Sequence, residues 1–108
     1  MELTYRPRRL RRTPALRSMV RENSLTASDF IYPLFVHEGN DIEQIAAMPG
    51  ANRWTLDGLV EEVIRAWNLG VRCVVLFPKV DDALKTEGGE ECFNENGLIP
   101  RAIRRLKK

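Results

Sequence analysis

The run VVLFPKV, residues 74–80, carries a lysine to the end of an apolar, strand-like segment. At such a place an α/β enzyme can hold a Schiff-base nucleophile. That chemistry needs a free amine, obtained by desolvation or by a cationic neighbour that lowers the pKa from about 10.4. Lys79 instead has Asp81 and Asp82 close by in sequence, and carboxylates favour the charged form. Lys79 is therefore read as a solvated loop charge. His37, the only histidine, follows a second apolar run, FIYPLFV at 30–36. A lone histidine in a polar loop is more often structural than catalytic. Cys92 stands in EGGEECFNENG with no second ligand at a metal-binding spacing. Cys73 lies inside a strand-like run, so the two cysteines make neither a metal motif nor a disulfide framework. The carboxylates and asparagines around Cys92 lack the regular spacing of an EF-hand loop. That stretch reads as a plain acidic loop, with a mobile lid as the alternative. From the residues alone, no catalytic, cofactor-binding or metal-ligating position is assigned.

The elements that would position these residues follow a regular order. FIYPLFV reads as a buried strand, with Pro33 requiring an edge or an irregularity. Before it, LTASDF offers Thr26 and Asp29 as a capping box for one helical turn. After it comes a polar connection, 37–54, far longer than the usual few residues. TLDGLVEEVIRAWNLG is the clearest helix. Thr55 is its N-cap and Asp57 lies in the first turn. Leu56, Leu59, Val60, Val63, Ala66 and Trp67 form its apolar stripe, and Gly70 ends it. VRCVVLF, 71–77, then reads as a parallel strand covered on both faces. A second long polar loop, 78–95, leads to NGLIPRAIRRLKK. There Pro100 suits a first helical turn, and Leu98, Ile99, Ala102, Ile103 and Leu106 face one side.

The result is strand, long loop, helix, tight turn, strand, long loop, helix, with both long loops at strand C-terminal ends. That is the grammar of a (β/α)₈ TIM barrel, whose functional loops lie on that face. A full barrel needs roughly 250 residues, and this sequence has 108. Two parallel strands cannot close, so the expectation is an incomplete barrel: the first two β/α units, poorly stable as an isolated monomer.

Charge is distributed unevenly. Apolar residues at 44% and charged residues at 30% give a globular balance rather than a disordered one. Residues 1–22 hold seven arginines against Glu2 and Glu22, a net of +5. Residues 101–108 also hold +5, which leaves 23–100 at −8 within a total of +2. Residues 1–25, with Pro7, Pro14 and few apolar anchors, read as an extended basic arm that docks on an acidic neighbouring subunit. Nucleic acid is a poor fit, since only Tyr5 could stack on a base there. No apolar run nears the roughly 18 residues of a membrane span. The basic start lacks an apolar stretch for secretion, and its prolines argue against a plastid or other organellar transit helix. The expected setting is the cytoplasm.

Four segments carry a more specific signal. DFIYPLFV, MPG followed by Arg53 and Trp54, LFPKV, and FNENGLIPRAIR occur in an order and spacing that resemble the amino-terminal third of the porphobilinogen synthase (delta-aminolevulinic acid dehydratase) family. The resemblance covers nearly all of the sequence. It implies a TIM barrel with an amino-terminal arm wrapped on a neighbour, typically in octamers. It implies condensation of two 5-aminolevulinate molecules to porphobilinogen, through Schiff bases on two lysines of later strands, with a zinc or magnesium requirement. The family's catalytic lysines, metal ligands and carboxylate-binding residues map to no position among these 108. Lys79 matches a loop position in the family, outside the Schiff-base pair. The sequence is thus expected to be a fragment, inactive alone. The alternative is a non-catalytic assembly module that pairs with an intact synthase through its arm.

Overall fold

The computed structural model describes residue 4 and residues 7–108; Tyr5 and Arg6 of the basic start, with residues 1–3, lie outside it. The described elements are α1 (Pro14–Met19), β1 (Ile31–His37), β2 (Glu43–Gln44), β3 (Asn52–Trp54), α2 (Leu56–Asn68), β4 (Cys73–Lys79) and α3 (Leu98–Leu106), with short 3₁₀ turns between them. The expected order is present as β1, α2, β4, α3, an open α/β sheet with its helices on one side.

β1 and β4 run parallel and pair along their full lengths, from Ile31 opposite Cys73 to His37 opposite Lys79. Tyr32, Leu34 and Val36 alternate toward the helices, joined by Val74 and Leu76. Leu34, Val36, Leu59, Leu98 and Ala102 form the core between sheet and helices. α2 begins as its sequence dictates: the Thr55 Oγ1 accepts the Gly58 N–H at 3.1 Å. It ends at Gly70, whose φ of 102° favours glycine. α3 starts after Gly97 with Pro100 in its first turn, where a missing N–H costs nothing.

A buried polar link joins β1 to α2. The Tyr32 hydroxyl donates to Glu62 Oε1 at 2.6 Å, and Arg65 donates to both Glu62 oxygens at 2.5 and 2.9 Å. The Arg65 bonds, aided by Tyr32, hold the Glu62 carboxyl below its usual range against the desolvation that would raise it. Periodicity marked this face of α2 as apolar only and passed over Glu62.

Four details differ from the sequence expectations. The long connection 37–54 is not featureless, because β2 and β3 form a small antiparallel pair and β3 joins β1 in parallel. The sheet order is β2-β3-β1-β4. β3 pairs only with Phe35 and Val36, so Pro33 has an unpaired side for its missing N–H. β4 continues through Pro78 to Lys79, which places Lys79 on the strand rather than in a loop. β4 is covered on one face only: Val75 and Phe77 are exposed on the other. Trp67 and Ile103, read as stripe residues, are also exposed, and the Arg72 guanidinium lies 4.1 Å from the Trp67 ring centroid.

Residues 7–25 project from this body. Only Leu16 among them is even half-buried. The radius of gyration is 21.3 Å, against about 13 Å for a compact chain of this length. Pro14, read from sequence as a helix interruption, instead opens α1, where Thr13 Oγ1 accepts the Leu16 N–H at 3.1 Å. The capping box at Thr26 is formed, its backbone N–H donating to Asp29 Oδ2 at 2.7 Å.

Leu59 is 0% exposed and Ile64, on the same helix, is 56% exposed. Leu59→Ala is expected to lower stability by about 2–5 kcal/mol in urea unfolding followed by circular dichroism. Ile64→Ala should stay within about 0.5 kcal/mol of the parent.

Candidate functional site

The parallel register brings the C-terminal ends of β1 and β4 together, so His37 and Lys79 stand opposite each other. The chain after β1 then folds back through the β2–β3 pair, where Glu43 lies opposite Arg53. Glu43 thereby meets basic groups from three strands. Its Oε2 is 3.3 Å from Arg53 Nη1 and 3.6 Å from Lys79 Nζ, and its Oε1 is 3.8 Å from His37 Nδ1. Partial desolvation would raise the Glu43 pKa, but Lys79, the Arg53 hydrogen bond and His37 together pull it below the ordinary value.

His37 is buried, at 5% exposure. The Gly39 N–H donates to His37 Nδ1 at 3.3 Å. Among the described residues, that buried Nε2 has no hydrogen-bond partner. Gly39 is required by space here, since a Cβ on it would lie 2.5 Å from His37 Cε1. Beyond this cluster an ion pair between Glu38 and Arg101 ties the loop after β1 to α3. An open cleft of 360 Å³ lies between these groups, floored by His37, Gly39 and Lys79 and rimmed by Asp81, Asp82 and Lys85.

Lys79 is thus an ion-pair partner with a 55% exposed side chain, not a free amine in a dry pocket. Its partner differs from the one expected. Asp82 pairs with Lys85 at 2.7 Å, and Asp81 Oδ1 accepts the Ala83 N–H. Glu43 takes the place assigned to them. Glu43 went unread in the sequence, and Arg53 was read only as part of the family pattern. Their signal was the turn-forming MPG between them, which closes a hairpin with Gly50 at a φ of 83°. Cys73 and Cys92 are free and exposed. Among the described residues, no three His, Cys, Asp or Glu side chains converge as a metal site would require. No described helix is long and apolar enough to cross a membrane.

A family model described as delta-aminolevulinic acid dehydratase matches residues 4–108. The chain belongs to that family. It is 55% identical over 109 residues to the chloroplastic delta-aminolevulinic acid dehydratase of Glycine max, covering 99% of this chain and 26% of that one. It is 57% identical over 98 residues to the chloroplastic enzyme of Pisum sativum, covering 89% and 24%. A crystal structure of the dehydratase (porphobilinogen synthase) from Toxoplasma gondii, in complex with the reaction product porphobilinogen, superimposes with a TM-score of 0.90 at 46% identity. That match covers 97% of this chain and 30% of the other. The chain therefore spans about a quarter of the length of its curated dehydratase relatives. These relatives correct one expectation. They are named chloroplastic, from Glycine max and Selaginella martensii to Oryza sativa, so the cytoplasmic reading is withdrawn.

The lowered Glu43 pKa predicts an acid-side signature. A carboxylate with a depressed folded-state pKa stabilises the fold above its unfolded value of 4.5. That contribution is lost as pH falls through the folded-state pKa. The difference in unfolding midpoint between the parent and Glu43→Gln should therefore be full at pH 6 and vanish as pH drops well below about 4.5. A difference independent of pH would mean that the Glu43 charge does not hold the cluster.

Proposed function

We propose that this chain supplies the opening part of a porphobilinogen synthase, which joins two molecules of 5-aminolevulinate into porphobilinogen with loss of water in tetrapyrrole synthesis. Residues 1–25 act as the subunit-contact arm and residues 26–108 begin the barrel domain. The observation that carries this reading is the match over residues 4–108 to a family with a porphobilinogen-bound structural neighbour. The whole protein is a lyase of the plastid, in keeping with the chloroplastic names of its relatives.

In the reaction, two lysines outside these residues form Schiff bases with the two substrates, and C–C and C–N bonds then form. The residues described here hold the scaffold. The Glu43 cluster fixes the C-terminal ends of β1 and β4, and the long loops shape the rim. Zinc or magnesium would serve the whole enzyme. The scattered His37, Cys73 and Cys92 do not fit such a site, so no step involves a metal held by them.

Borohydride trapping tests the assignment. In the intact protein with 5-aminolevulinate, reduction should leave covalent adducts on peptides outside residues 1–108 and none on the Lys79 peptide. Lys79→Met should retain adduct formation. An adduct on Lys79 would overturn the reading. The 108-residue chain alone is expected to give neither adduct nor porphobilinogen.

The arm reading rests on its exposed arginines against the acidic body. Residues 7–25 present Arg8, Arg9, Arg11, Arg12, Arg17 and Arg21 on a segment with little tertiary contact. A six-residue helix is not stable by itself in water, so α1 calls for a surface to lie on. Deleting residues 1–25 from the intact protein, an octamer in this reading, should lower its mass in light scattering. An unchanged mass would refute the arm's assembly role.

A further inference from the structure

The segment after β4 leaves an apolar cavity of 480 Å³ between itself and α3. Leu84 and Cys92 wall it on the loop side, and Pro78, Leu98, Ile99 and Pro100 wall it on the body side. Phe93, the residue after Cys92, is 84% exposed. Isolated exposed apolar residues are ordinary. A phenyl ring in water one residue along the chain from an apolar cavity wall is not, because one movement would dry both surfaces.

The segment is built to make that movement. Its hydrogen bonds are local: Lys85 to Asp82, Thr86 to Glu90, and Asn94 to Glu91. Among the described residues, two hydrogen bonds tie residues 81–96 to α3 and its cap: Arg104 Nη2 donates to the Glu95 carbonyl at 2.6 Å and the Gly97 N–H donates to the Asn94 carbonyl at 2.9 Å. Gly88 and Gly89 precede the 3₁₀ turn Glu90–Phe93, and Gly89 has a φ of 63°. Cys92 and Phe93 are successive residues of that turn. Rotating it by one residue, about 120° in a 3₁₀ helix, exchanges Cys92 for Phe93 at the cavity wall.

We infer that residues 81–96 form a hinged strap that closes by seating the Phe93 ring in the apolar cavity against Ile99 and Pro100. The strap is coupled to the cleft at the strand ends. Val80 and Lys85 line both the cavity and the cleft beside His37 and Lys79. Closure therefore draws the Leu84–Lys85 edge inward and narrows the rim of the cleft.

Hydrogen–deuterium exchange on the intact protein tests this, comparing the parent with Phe93→Ala and Phe93→Leu. Closure gives residues 86–96 at least about tenfold slower exchange than the unfolded peptide, reporting a strap held shut. Phe93→Ala should remove that protection and leave the amides of β1 and α2 unchanged, and Phe93→Leu should restore most of it. Free exchange of 86–96 in the parent, or protection unaltered by Phe93→Ala, would overturn the inference. So would a loss of oligomer mass on Phe93→Ala, because the ring would then sit on another subunit.

Discussion

Everything in this molecule depends on the parallel ladder between β1 and β4. Parallel partners cannot be joined by a tight turn, so the chain must leave the sheet, cross as a helix and return. α2 is that crossing, and its cap at Thr55 and its end at Gly70 fix where the crossing begins and stops. Once the register is set, Leu34 and Val36 must face Leu59, and the core follows. The same register aligns His37 with Lys79 at the other end of the strands. Core and cleft are thus two consequences of one pairing. A slip of one residue would send Leu34 and Val36 to the open face and separate the His37–Lys79 pair.

The two faces of the sheet differ in kind. Toward α2 and α3 the side chains are dry and close-packed. The other face carries Ile31, Phe35, Val75 and Phe77, with the Phe35 and Phe77 ring centroids 5.7 Å apart. In a closed barrel that face is the packed interior. Titratable polar groups appear on it only at the end, with His37 and Lys79. An apolar lining with a polar rim at the strand C-termini is the distribution expected where loops carry the chemistry and the lining carries stability. The relatives' greater length is consistent with this, because the face needs further strands to be dry.

Helices α2 and α3 and both long strands were legible because each rests on a local pattern, whereas α1 lies in a segment read as extended. Thr55 followed by a stripe of three- and four-residue steps, or seven apolar residues in a row, leaves few alternatives. The hairpin of β2 and β3 was not legible. Its strands are two and three residues long, too short to show alternation, and they exist because β1 offers an edge at Phe35 and Val36. The end of β4 was missed because Pro78 reads as a stop, although a strand at a sheet edge tolerates it. The Glu43 cluster was the largest loss. Its four members come from four strands, and sequence neighbours suggested Asp81 and Asp82 as the partners of Lys79. Pairing across strands overrode proximity along the chain. Glu62 was hidden for the opposite reason: a carboxylate on an apolar face is invisible to periodicity until Tyr32 and Arg65 are seen to satisfy it.

The electrostatics of the cleft also bear on what these residues can do. Lys79 and Arg53 share Glu43, Glu38 is matched by Arg101, and Asp82 is matched by Lys85. Asp81 caps a turn through Ala83. A catalytic group works because its surroundings leave it unsatisfied or shift it toward the operating pH. Here the ionised groups are paired off, and Lys79 remains solvated. His37 is the exception, with its buried Nε2 lacking a partner among the described residues. Yet it is enclosed and locked by Gly39, placed to hold a neighbouring segment rather than to meet a substrate. A site built this way braces the rim of a barrel mouth.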